Sequence, residues 1–367
     1  DDGTVSVNNC VFGSNRAEGS VLRCFGGAIR GQNVHVYSCD FNNNFAENHG
    51  GAIYATSVTI DNAVPSSFAS NTAKKGEGGA IYTDYLNENI KYLTLYDNSA
   101  AIDNSDDGGA IYLNKENHVT FSQCSIVSNH CGDEGGAIYL DSTNSSISLI
   151  NNIIIANRAG DEGHVVFNKG YYDTINNNWW GDINPSSDNG LLVEWKTFGS
   201  NVHHVDSDPL RSQLKIEDNP VGINETAVAT YYFVKSDGSL FTGELEAPVS
   251  FILPENIIKE SSGKTPNTVY IKFKGNKAGT YTITANLHGQ MVSNKVTITD
   301  NEKVDPNLSI KVNNITEGQN PVAVINANNT LNGKAQVKLN SFTTTYQVNI
   351  VNGTGNVTID RNLTAGQ

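Results

Sequence analysis

The chain has 367 residues, a formal net charge of −14 and only 17% charged residues, so a basic face for nucleic acid is excluded. Its 49 Asn and 34 Gly favour turns over helices, which excludes a long helical protein. The length allows two or three ordinary domains, and no run of about 18 apolar residues is present to span a membrane as a helix.

The chain opens, without a signal peptide, inside a repeat. It is therefore expected to be a mature or excised piece, with further domains of the same polypeptide at both ends. GGAIR begins at Gly26, and GGAIY begins at Gly50, Gly78, Gly108 and Gly135; a degraded copy ends at Phe167. Upstream of each copy is an apolar residue three before an Asn, with a small residue two later. It reads Phe12/Asn15/Ala17, Phe41/Asn44/Ala46, Phe68/Asn71/Ala73, Leu95/Asn98/Ala100, Ile126/Asn129/Cys131 and Ile154/Asn157/Ala159. Short alternating runs such as Val34/Val36 and Val58/Ile60 precede these, and period-two alternation argues strand.

A unit of three short strands cannot bury its own apolar side, but stacked units can, with strands about 4.8 Å apart. Residues 1–205 are therefore expected to form a parallel β-helix. The Phe/Leu/Ile column and the Ile of GGAIY should point inward. The Asn column should sit at a sharp bend in a left-handed conformation, its amides laddering between coils. The paired Gly should mark a second bend where a Cβ would clash. Near Ile175 the pattern breaks into Asn176–Gly181, and Trp179 with Trp180 is expected to lid the last coil. The stretch 182–205, with Pro185 and Trp195, should complete that lid.

Beyond the β-helix the charge pattern changes. Residues 1–205 carry a net −13 and residues 206–367 a net −1. Alternating runs at Thr226–Val234, Val269–Phe273 and Tyr281–Leu287, separated by turn signals, predict an immunoglobulin-like β-sandwich over 206–304. A second such module over 305–367 has strands predicted near Leu308–Val312, Pro321–Ile325, Ala335–Leu339, Tyr346–Val351 and Val357–Ile359. It is expected to be incomplete, leaving an edge open to strand addition.

GGAIY alternating with F-x-x-N resembles the repeats of chlamydial polymorphic membrane proteins. The Asn-rich version, closed by Asn-Asn-Trp-Trp-Gly and followed by immunoglobulin-like modules, resembles adhesin-like surface proteins of methanogenic archaea. The resemblance covers nearly the whole chain. It implies an all-β chain: a right-handed parallel β-helix followed by immunoglobulin-like β-sandwich modules. It also implies a cell-surface or secreted location, with the anchor outside this chain, and attachment to surface glycans or proteins of another cell. Eight N-x-S/T sequons, at Asn144, Asn224, Asn307, Asn314, Asn328, Asn352, Asn356 and Asn362, fit an exported chain.

Two columns are candidates for function. Tyr54, Tyr82, Tyr112, Tyr139 and Phe167 share one column, with Arg30 at its start. If the neighbouring Ile points inward, alternation turns this column outward into an aromatic strip about 19 Å long, able to stack on sugar rings. The other outcome is a self-stacking ladder covered by loops or by the second domain. The residue before Gly-Gly is Glu77, Asp107, Glu134 and Glu162 on four successive coils. Carboxylates about 5 Å apart repel by about 0.8 kcal/mol even at water's dielectric. Either Ca²⁺ bridges them through oxygen ligands, or the side chains splay into solvent.

The five Cys suit small buried positions. Cys10 and Cys39 fall on adjacent coils within disulfide reach, although free thiols are favoured by the odd count. The eight His are scattered, His203-His204 being a surface dipeptide. A polysaccharide lyase or hydrolase is the main alternative, because Asp106-Asp107 with His49 or His164 invites acid–base chemistry. No Arg-x-Lys accompanies them, and acids that recur in register read as scaffold, so the chain is expected not to be an enzyme. A cell-wall spacer without a ligand is the third reading.

Overall fold

The computed structural model describes residues 3–19, 23–100, 105–181, 198–199, 206–300, 308–312, 320–327, 332–338 and 345–359. Among these every regular element is a strand. Compactness divides the chain into two units. One comprises residues 1–221, 225–276 and 280–297; the other comprises 222–224, 277–279 and 298–367.

The first half is a parallel β-solenoid of about six turns. One sheet runs through Thr4–Asn8, Ile29–Tyr37, Ile53–Ile60, Ile81–Leu86, Ile111–Leu113, Ile138–Leu140, Val166–Asn168 and Phe198–Gly199 in that order. A second runs through Val11–Gly13, Asp40–Asn42, Ser66–Ala69, Leu93–Tyr96, Ser125–Val127 and Ile153–Ile155. A third joins the two-residue strands Arg16–Ala17, Phe45–Ala46, Thr72–Ala73, Ser99–Ala100 and His130–Cys131. From the fourth coil onward the long strand breaks, and its later part forms a fourth sheet: Asn89–Lys91, His118–Ser122, Ser146–Ile150 and Tyr171–Asn176.

The register stacks like on like. Ile29 pairs with Ile53, then Ile81, Ile111, Ile138 and Val166. All six are buried, as are Phe41, Phe68, Leu95, Ile126 and Ile154 of the other inward column. Phe12, Phe41 and Phe68 stack face to face at 4.7 and 4.6 Å, the coil spacing itself. Parallel strands in register thus turn a weak local pattern into one continuous core.

The Asn column forms the expected ladder, but the conformation at its bend differs. The left-handed residue is the one before each Asn: Ser14, Asn43, Ser70, Asp97, Ser128 and Ala156, with φ between 53° and 60°. This turn frees the following Asn to point inward. The Asn71 backbone N–H and Nδ2 both donate to Asn98 Oδ1, at 3.1 and 2.9 Å. Nδ2 also donates to Phe41 O at 2.9 Å. The same set repeats from Asn44 to Asn129, so a buried amide satisfies backbone groups of both neighbouring coils.

The two Trp do not form a lid together. Trp180 stands two residues after Asn178, as Phe12 stands two after Cys10, and it enters the apolar core as the last member of the Phe/Leu/Ile column. Its ring fills the end of the solenoid from within, and its Nε1–H donates to Asp206 at 2.9 Å. Trp179 alternates to the other side, bridges in parallel to Ile153 and Leu210, and lies edge-on to Phe233 at 6.2 Å. Asp206 also receives the Asn178 backbone N–H and Nδ2, at 2.9 and 3.0 Å, closing that column with a carboxylate. Pro185, Trp195 and His203-His204 lie outside the described residues.

The next segment holds two four-stranded sheets, the first of them antiparallel throughout. One has the order Arg211–Glu217, Thr226–Val234, Thr268–Gly275, Ile257–Thr265. The other has the order Val221–Gly222, Gln290–Thr299, Gly279–Leu287, Ser250–Ile252. Alternate residues Ala227, Ala229, Tyr231 and Phe233, with Ile283, Ala285 and Leu287, are buried. The C-terminal unit contains a three-stranded antiparallel sheet of Ser309–Val312, Val322–Asn326 and Thr354–Thr358, and a hairpin of Gly333–Lys338 and Thr345–Ile350. Ile325, Val337, Val348 and Ile350 form its small core. All five strands expected there are present; the segment 360–367 lies outside the described residues.

Candidate functional site

Strand alternation places the aromatic column on the outside of the coil, because the adjacent Ile enters the core. Tyr54, Tyr82, Tyr112, Tyr139 and Phe167 stack in near-parallel rings at 5.0, 5.1, 5.0 and 5.3 Å. Phe25 extends the ladder past Tyr54 at 4.6 Å, and Arg30 caps it with its guanidinium over both rings.

An open strip is nevertheless not what forms. Tyr112, Tyr139 and Phe167 are 8%, 3% and 7% exposed and make a separate buried cluster, while Tyr54 and Tyr82 are half-buried. The segments preceding Gly-Gly lean over the column: His49 packs 5.0 Å from Tyr82 and 5.4 Å from Phe25. Lys169 sits over Tyr139 and pairs with Asp141. Burial pushes the Tyr82, Tyr112 and Tyr139 phenols far above their ordinary value. Only the end built by Arg30, Phe25, Tyr54 and Tyr82 retains access for a ligand. Phe25 and His49 were not legible as members, since they fall outside the repeat.

The acidic column is likewise partly covered. Burial, reinforced by Asp133, Glu134 and Glu77, pushes the Asp107 carboxyl up to about 7, against the Glu134 N–H that donates to it at 3.0 Å. Burial with Asp133 and Glu162 raises Glu134 to about 6. At Glu77 burial acts in the same direction, but the His49 hydrogen bond and charge overcome it and hold the carboxyl below its ordinary range. Among the described residues no three His, Cys, Asp or Glu converge on one metal position. The column puts one carboxylate on each of four successive coils.

The raised acids make the solenoid pH-sensitive. Below about pH 4, Asp107 is protonated whether the chain is folded or unfolded. Between that and about 7 the folded state holds the proton more tightly, so stability falls as pH rises through this window. Asp107→Asn is expected to melt higher than the parent at pH 8 and level with it at pH 4. Scanning calorimetry at the two pH values checks this, and an equal shift at both would contradict it.

Cys10, Cys39, Cys124 and Cys131 form no disulfide, and the Cys10 N–H donates to Cys39 Sγ at 3.4 Å. Burial pushes Cys124 and Cys131 up to about 12, which leaves them as small apolar fillers. The groups that invited acid–base chemistry are dispersed. His49 stands four coil steps from His164, whose Nδ1 accepts the Ala159 N–H at 3.1 Å. Asp106 is itself buried.

The repeat of the Chlamydia polymorphic membrane protein family matches residues 38–56 and 65–84. These residues span the second and third coils with their Gly-Gly bends. The chain is 37% identical over 84 residues to a probable outer membrane protein, pmp6, of Chlamydia pneumoniae. The match covers 22% of this chain, and the chain spans 6% of that protein's length. Among solved structures it is similar to the Escherichia coli adhesin FdeC at a TM-score of 0.21 and 15% identity, over 40% of this chain and 53% of the other. It is also similar to the Yersinia pseudotuberculosis adhesin InvE at a TM-score of 0.19 and 16% identity, over 41% and 51%.

Proposed function

We propose that this chain is part of a cell-surface adhesin of the kind resembled by methanogenic-archaeal surface proteins, with the solenoid as the contact element and the following modules, read as immunoglobulin-like, as its stalk. The observation that carries this reading is the in-register solenoid, two stretches of which match the polymorphic membrane protein repeat and part of which is similar to an outer-membrane protein. A long rigid surface with one loop per coil suits contact with another cell. The partner is a surface glycan or protein. The polysaccharide-degrading alternative is weaker because the acidic residues recur in register, as scaffold features do, and we read the chain as non-enzymatic.

Beads coated with the chain should retain target cells well above albumin-coated beads. Retention should fall when free chain is added as competitor. Retention equal to albumin would overturn the adhesin reading. Release of reducing or unsaturated ends from pectin, alginate or host glycans would favour the enzyme instead.

A further inference from the structure

The solenoid has a second bend, just before the Phe/Leu/Ile column, whose left-handed residue is small and polar on most coils: Asn9, Ser38, Asn151 and Asn177. On two successive coils it is large instead, Tyr92 at φ 56° and Gln123 at φ 57°. A side chain in this region is strained, and Asn relieves part of that strain through local hydrogen bonding. Nothing within the coil calls for the larger groups. Both reach away from it to one carboxylate: Tyr92 Oη donates to Glu244 Oε2 at 3.2 Å, and Gln123 Nε2 donates to the same oxygen at 3.1 Å.

Glu244 begins the segment Glu244–Pro248, which this bracing holds along the solenoid flank. Between them lies a cleft of about 460 Å³, continued by a second of about 340 Å³. Pro65, Tyr92, Gln123, Glu246, Ala247 and Lys264 line both, so the two form one groove. Its size falls within the range of small-ligand sites.

The walls specify a chemistry. Tyr92 and the 43%-exposed Tyr96 supply ring surface for an apolar sugar or ring face. The Glu246–Lys264 pair, 2.9 Å apart, offers an acceptor and a donor at the rim. Two buried atoms along the groove have no hydrogen-bond partner among the described residues, Gln123 Oε1 and His288 Nε2. Leaving such atoms unmatched is costly. A hydroxyl both donates and accepts, so it can satisfy the amide oxygen and either tautomer of the imidazole. Glu244 and Glu246 outnumber Lys264, and the solenoid beside them is strongly acidic, so an anionic ligand is repelled.

We propose that this groove binds a short neutral oligosaccharide, with a sugar face on Tyr96 and Tyr92 and its hydroxyls on Gln123, His288 and the Glu246–Lys264 pair. The proposal deepens the adhesin reading and rests on it for the source of the glycan. It moves recognition from the covered tyrosine ladder to the flank where the solenoid meets the next module.

The test uses the full chain with cellotriose, chitotriose and mannotriose as probes, read by saturation-transfer NMR and calorimetric titration. Tyr96→Ala and Glu246→Ala alter the groove without touching either bond to Glu244, and thermal melting confirms that each folds. At least one probe is expected to bind. Its affinity should fall about tenfold or more in Tyr96→Ala at unchanged melting temperature, and should be unaffected by Tyr54→Ala. Silence of all the probes, or binding that survives both groove variants, would overturn the proposal. So would occupation of the groove by a proline-rich decapeptide in place of the sugars. Cell retention on coated beads separates the two ideas: retention without sugar binding removes the groove and leaves the adhesin reading, whereas sugar binding without retention does the reverse.

Discussion

Asn98→Ala should lower the apparent melting temperature of the solenoid by about 10 °C. Asn98 is fully buried, and its side chain serves four groups. Oδ1 accepts the Asn71 backbone N–H and Asn71 Nδ2, at 3.1 and 2.9 Å. Nδ2 donates to Phe68 O at 2.8 Å and to Asn129 Oδ1 at 2.9 Å. Alanine leaves all of these partners facing each other without water. Buried unsatisfied groups cost about 1–3 kcal/mol each, so a loss of about 4 kcal/mol is a conservative sum after relaxation. For a domain of this size each kcal/mol shifts melting by about 2–4 °C. Asn8→Ala, on an exposed strand position of the first coil, should stay within about 0.5 kcal/mol of the parent. Equal melting of the two variants would show that the ladder does not hold the coils.

Gly79→Ala should be as damaging through sterics alone. A Cβ there would stand 2.0 Å from Gly109 O and 2.5 Å from the Ser99 carbonyl carbon. Both obstacles are backbone of other strands of the stack, so no rotamer change relieves them. The coils would have to part, breaking the Gly79 N–H bond to Gly108 O, 3.1 Å long, and the Ala80 N–H bond to Ala110 O, 2.9 Å long. A loss above about 3 kcal/mol is expected, seen as a lower midpoint in urea. Gly238→Ala is the informative contrast. Gly238 is left-handed, at φ +83°, but nothing lies within 4 Å of its would-be Cβ. That variant should show only the conformational cost, about 1–2 kcal/mol. Similar losses at both sites would mean that close coil approach does not limit the fold.

These two positions also divide what could be read early from what could not. Gly79 and Asn98 declared themselves because each belongs to a column repeated once per coil, and a column has only one way to stack in a parallel solenoid. The strands Thr226–Val234 and Gly279–Leu287, the latter read as Tyr281–Leu287, were legible for a similar reason, since alternation over seven to nine residues is a local signal. By contrast, the sequence placed the left-handed turn on Asn98 when the structure puts it on Asp97. Both residue types tolerate that conformation, and only the demand for a buried amide in the ladder chooses between them.

The candidate site was less legible than the fold. Tyr112 and Tyr82 occupy equivalent repeat positions, yet one is buried and the other half-open. Their difference comes from segments outside the repeat, and a period contains no information about what lies over it. Trp180 was read as a lid, but it continues the inward column because alternation from Asn178 leaves it no other direction. Tyr92 and Gln123 were not singled out by the repeat at all. Their meaning depends on Glu244, more than 120 positions further along the chain.

The sequence by itself determined that the chain is all-β, that its first half is a stack of parallel coils, and which residues face the core. Repetition imposes the same local energies on every coil, and those suffice to set strand, bend and inward face. Tertiary structure alone decided which outward residues stay accessible, where the acids become hard to ionise, and where a ligand-sized groove opens. Those properties arise from long-range packing, in which the desolvation of one group is set by segments that share no pattern with it.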